Sequence, residues 1–275
     1  MRVVVPSRAT SPFRSRSAAS KMVMKSTIRQ TFRLLFVALA CLSLCSLTAL
    51  ARGNVSMILC REEVATKRQQ ELAEQLRAIT GWTDLHFDAD GALRLGQTAP
   101  VGGSQKAREL LASTQTGKNL IVIEDASGSD DVVFGRVVEA QVKRDDDQRA
   151  FVVKIDFTDF YQVIGDAEAL AAFNAAWVAL HEIYHVTNDA SDTTHAGETG
   201  ECEALINLMR RECKLAVRAE YHFHLFPVRE RSDFKTRYVR LAFEHQNPST
   251  KKKSRVWLMW DAAYVGGLSS AQRLR

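Results

Sequence analysis

The sequence predicts an α+β domain in which a mixed β-sheet packs on a central helix, with a second helix following it. Three observations carry this. Residues 166–185 form a run rich in Ala, with no Pro and no internal Gly, that ends in His181-Glu182-Ile183-Tyr184-His185. Short apolar stretches that read as strands precede it, at 119–123, 132–143 and 151–157. A second amphipathic run opens directly after Gly200.

The chain has 275 residues and a formal net charge of +5. Residues 1–51 contain no Asp or Glu and eight Lys or Arg, and 34–51 are almost wholly apolar or small. A basic start, an apolar run and the ending Ala49-Leu50-Ala51 have the form of a signal peptide. Cleavage after Ala51 and export are expected, with Met24 as an alternative start. The rival is an uncleaved N-terminal anchor, the only membrane contact expected. Because residues 1–51 carry +8, residues 52–275 sum to −3, so the overall basicity is no argument for nucleic acid. Within that part, 208–275 hold 15 basic against 6 acidic residues, which predicts a basic solvated face.

Residues 52–275 are expected to form one domain. Arg61–Thr80 reads as an amphipathic helix ending before Gly81. The alternation in 85–95 predicts a hairpin around Asp90-Gly91. Gln105–Thr114 is a short helix and Asn119–Ile123 a buried strand. Strands at 132–143 and 151–157 flank the charged turn 144–148, and Phe151–Phe157 is the candidate for an exposed edge that receives an added peptide strand. The central helix starts at Asp166, and Leu170, Phe173 and Trp177 step at helical spacing into His181 and His185. Beyond residue 51 lie Cys60, Cys202 and Cys213. The last two are about 16 Å apart on a helix and cannot pair, so any internal disulfide must use Cys60.

His181 and His185 lie one turn apart on one helix face, and two imidazoles so placed can share a tetrahedral zinc ion. Glu182 projects about 100° away and can reach a water on that ion as general base without being a ligand. Catalytic zinc takes three protein ligands and keeps one open position. Six residues after His185 stands Ser191, and the linking position is Asn188 rather than Gly, so the third ligand is not a histidine at that spacing. His195, Asp189 and Asp192 lie in a polar loop that can bend back to the metal. On the helix after Gly200, projection at about 100° per residue places Cys202, Ile206 and Met209 on the apolar stripe, with Glu201 at its border. The same projection puts Glu203 with Asn207, Arg210 and Lys214 on the polar face. A carboxylate at an apolar edge needs a partner, which favours Glu201 over Glu203.

The pair of helices, HExxH followed by Glu201-Cys-Glu-Ala204, resembles the gluzincin type of zincin zinc metallopeptidases, in particular small bacterial secreted and effector enzymes. The resemblance covers about residues 105–220. It implies a zincin-like fold, a zinc cofactor, His181, His185 and Glu201 as ligands, Glu182 as general base, and hydrolysis of peptide or protein substrates. Tyr221, His222 and His224 are candidate oxyanion groups. Leu205 stands where one membrane-bound family has Asp after Glu-x-x-Ala. The Asn-Glu-x-x-x-Ser-Asp and Gly-x-Met-Glu-Asn signatures are absent. Two alternatives remain: a non-catalytic binding protein of zincin-like form, and an exported structural protein with a chance HExxH. No Gly-x-Ser-x-Gly elbow supports a serine hydrolase.

Overall fold

The structure is a computed structural model and describes residues 56–141, 148–225, 238–247 and 249–266. The expected signal segment 1–51 and most of the turn 144–148 lie outside the described residues. Among those described, five α-helices and several sheets form a mixed α+β arrangement, and no helix is long and apolar enough to cross a membrane.

The first sheet joins β1 (Ile58–Cys60), β4 (Leu120–Asp125), β6 (Ala150–Ile155) and β5 (Gly135–Ala140) in the order β1-β4-β6-β5. β1 and β6 flank β4 in parallel, and β5 runs antiparallel to β6 at the edge. Phe151–Phe157 is therefore not the edge. Pairs on both sides bury Val152 and Val153, and β5 takes the edge position. Strand pairing also changes the first expected helix. Arg61 donates its backbone N–H to Ile123, prolonging the β1–β4 ladder, so α1 spans only Thr66–Thr80. Gly81 ends it in the left-handed conformation, φ 76°. The hairpin forms as read, β2 (His86–Phe87) against β3 (Leu93–Arg94). α2 (Gln105–Thr116) is capped by Ser104, whose side chain accepts from Ala107 N.

The run from Asp166 is two helices, not one. α3 (Ala167–Ala171) stops, and α4 (Ala175–Asn188) restarts where the Asn174 side chain accepts the N–H groups of Ala176 and Trp177. Asp166 is diverted, since its carboxylate accepts Trp257 N instead of capping the helix. α4 packs against α1, α2, β5, β6 and α5 (Gly200–Glu212). It buries Trp177, Leu180, Ile183 and both members of His181-Glu182, as a helix apolar on most faces must. One core lies here, with Leu72, Leu111, Ile121 and Ile206.

The second sheet was not foreseen. β10 (Tyr238–Gln246) and β11 (Lys253–Asp261) pair over nine residues, joined by β7 (Ile164–Gly165), β8 (Val217–Arg218) and β9 (His224–Leu225). Its buried face, with Leu241, Phe243 and Leu258, forms a second core with Ala169 and Phe134. Cys60, Cys202 and Cys213 are all free thiols.

Candidate metal centre

α4 ends at Asp189 in the left-handed conformation, φ 51°, which turns the chain back on itself. The returning loop places Ala190 O 2.8 Å from His185 Nδ1 and Asp192 beside both histidines. A carbonyl only accepts, so His185 Nδ1 carries the proton and its Nε2 presents a lone pair when neutral. That Nε2 lies 3.2 Å from His181 Nε2. Asp192 closes the triangle, its two oxygens 3.1 Å from His181 Nε2 and 3.4 Å from His185 Nε2.

These edges fit a metal. Bonds of about 2.0–2.1 Å to a tetrahedral zinc imply ligand–ligand edges of about 3.3 Å. Without an ion the arrangement is awkward. Asp192 holds both rings toward their charged forms, and two protonated Nε2–H groups would then face each other. Burial opposes charging His181, but Asp192 and Glu203 outweigh it and its pKa reaches about 9. Burial opposes charging His185 too; Asp192, Cys202 and the Ala190 carbonyl carry it to about 11. Burial works against the Asp192 charge, yet the two histidines and Tyr221 hold it well below the usual carboxylate range. A shared cation satisfies all three donors at once.

Cys202 is the fourth residue of the cluster, whose ligand atoms lie within 4.8 Å of one another. Its Sγ is 3.2 Å from His185 Nδ1, the nitrogen across the ring from the convergent Nε2. It thus backs the ring with Ala190 O. Tyr221 donates its hydroxyl to Asp192 Oδ2 at 2.5 Å and stacks on His181, centroids 5.9 Å apart and planes 14° apart.

Glu201, the expected third ligand, is exposed and lies outside the cluster. The helical projection erred in its premise. The apolar stripe of Cys202, Ile206 and Met209 is buried as projected, but Glu203, Asn207 and Arg210 are buried beside it, at 1 %, 4 % and 2 % exposure, while Leu208 is 46 % exposed. Glu203 pairs with Arg210 and with Arg218 at 3.1 Å, and Asn207 bonds Arg210 at 3.0 Å, so charge is cancelled inside. Glu203 Oε2 also lies 3.4 Å from His181 Nδ1, off the line of a good hydrogen bond. His195 and Asp189 are exposed. His224 pairs with Glu220 at 2.7 Å. Asp192 was one of several loop acids in the sequence; the turn at Asp189 singles it out.

Glu182 is buried beside the cluster, where the backbone N–H of Val137 on β5 favours its charged form. Burial raises its pKa, with both histidines pulling the other way. Gly135 lets β5 approach α4 this closely, since a Cβ there would sit 2.5 Å from Val178 Cγ1. No known protein family, curated protein or solved structure matches this chain. The His181/His185/Asp192/Cys202 cluster could hold a metal ion, and its own geometry is the ground for reading it.

Proposed function

We propose that this chain is a zinc-dependent peptide hydrolase, with His181, His185 and Asp192 as ligands and Glu182 as general base. The observation that carries the reading is the triangle of 3.1, 3.2 and 3.4 Å between the three donors, with a buried carboxylate next to it. When bound, zinc would supply a Lewis acid that lowers the pKa of water to about 7 and polarises a carbonyl. Glu182, raised by burial, takes the proton of the attacking water and passes it to the leaving amine. Ala190 O and Cys202 fix the His185 tautomer, and Tyr221 fixes the Asp192 carboxylate. The edge of β5 offers backbone groups to an extended peptide. Export by residues 1–51 would place this activity outside the cytoplasm.

A second reading is favoured by Cys202. If its thiolate joined the other three, the tetrahedron would be closed and the metal structural. Its contact with Nδ1 rather than Nε2 of His185 argues for the open site. Metal analysis of the purified chain beside cleavage of an unstructured protein tests both. One bound zinc and cleavage abolished by chelator support the hydrolase. Zinc without cleavage, lost in Cys202→Ser, supports the structural site. No metal at all removes both and leaves a chance motif.

A further inference from the structure

Beside His181 and Glu182 opens a slot of about 220 Å³ between α4 and the second sheet. Its walls are ring faces and edges: Phe134, Phe173, Trp177, Phe223 and Trp260. Phe134 meets Phe173 and Trp260 edge-on, with centroids 4.9 and 5.1 Å apart. It does so from a left-handed backbone, φ 63°, that a bulky residue adopts only at a cost. The conformation is held from both sides. Phe134 N donates to Asp159 Oδ2 at 2.9 Å, and its carbonyl accepts Asp156 N at 3.0 Å. A costly conformation clamped at a cleft next to a catalytic carboxylate is a place to look for function.

Arg210 and Arg218 also line the slot, but their N–H groups are directed at protein acceptors. Arg210 bonds Ala172 O, Glu203 and Asn207, and its guanidinium lies over the rings of Trp177 and Phe243. Arg218 bonds Glu203 and the carbonyls of Glu220 and Tyr221. A carboxylate entering here would lose water, find these guanidinium groups already taken and face Glu182 and Glu203 in the lining. An aromatic or large aliphatic one would bury its surface against five rings.

We propose that this slot receives a bulky uncharged side chain, aromatic or large aliphatic, of the substrate residue flanking the bond that is cut. This rests on the hydrolase reading, and the test separates the two. The full chain carrying Glu182→Gln is titrated with the N-acetyl N-methylamides of Phe, Leu, Asp and Lys, followed by tryptophan fluorescence. Trp177 and Trp260 in the wall report occupancy. The Phe and Leu amides are expected to bind at least about tenfold more tightly than the Asp and Lys amides. Phe223→Ala, at a ring 38 % exposed at the slot, should shrink that ratio without unfolding the chain. The metal-free wild-type chain should give the same ranking, which guards against a misfolded variant. Equal or tighter binding of the charged amides overturns the slot. In parallel, the metal-loaded wild type is given a peptide library. Cleavage without side-chain preference sinks the slot and spares the hydrolase. The expected ranking with no cleavage of any peptide sinks the hydrolase and leaves a binding site for bulky side chains.

Discussion

At the scale of single residues, the proposed centre separates candidate ligands from bystanders sharply enough to be tested one side chain at a time. Asp192→Ala should lose zinc as His181→Ala and His185→Ala do, by more than the roughly ten- to hundredfold that loss of an outer partner costs. Glu201→Ala should keep full stoichiometry, because that carboxylate is exposed and outside the cluster. Zinc measured on the four purified variants decides this, and zinc loss at Glu201 with retention at Asp192 would restore the ligand set expected from sequence. Glu182→Gln should keep the metal and the fold while turnover falls by about 10²–10⁴. Unchanged turnover in that variant would remove Glu182 as the base. His181, Glu182 and His185 were legible in the sequence because an i, i+4 pair on a helix is a purely local geometry. Asp192 was not, because a left-handed turn at Asp189 decides which loop acid returns. Glu203 was misread because a helical projection assumes that charge faces water. Here Arg210 and Arg218 let it face inward.

At the scale of elements, the close approach of β5 and α4 depends on a missing side chain. Gly135→Ala should destabilise the chain by about 1–3 kcal/mol through overpacking against Val178. Val178→Ala in the same chain should recover most of that loss. A urea-unfolding double-mutant cycle reads the coupling, and strictly additive single effects would show that the two do not meet. Asn174→Ala should cost about 1 kcal/mol by removing the cap of α4. The core of α4, the hairpin, α2 and β4 could be read from period and caps alone. The break before Asn174 could not, since a run of good helix formers hides it and the Asp166 carboxylate is drawn away by Trp257 N. The long pair β10–β11 did leave a signal. Val239, Leu241 and Phe243 recur at every second position, and 256–260 is an unbroken apolar run of five residues.

At the scale of the whole molecule, the buried charges of α5 tie stability to pH. Burial works against the Glu203 carboxylate, but Arg210, Arg218 and His181 hold its pKa below the usual 4.5. Its charged form is therefore favoured in the fold relative to the unfolded chain. That contribution is complete above 4.5 and is lost as pH falls below it. Asp159 acts in the opposite sense. Burial raises it from 3.8 to about 6, so its contribution is complete below 3.8 and lost as pH rises through about 6. Melting temperatures taken in excess chelator should fall steeply below pH 4.5. In Glu203→Gln the slope there should flatten from an already lower plateau. An unaltered acid slope would mean that other carboxylates govern acid unfolding.

The open side of β5 carries one further consequence. Asp156 N bonds Phe134 O, so by antiparallel alternation the backbone groups of Gly135, Val137 and Glu139 face away from β6. One of the three outward N–H groups is already spoken for, Gly135 by Val133 O. The carbonyls remain. A strand laid along this rim would find acceptors for its own amides but a missing rung where one of its carbonyls seeks a donor. That carbonyl is left unpaired beside Glu182 and the histidines, free to be drawn toward the centre. On the hydrolase reading, a ladder with one absent step would set which peptide bond of a passing chain comes to rest there.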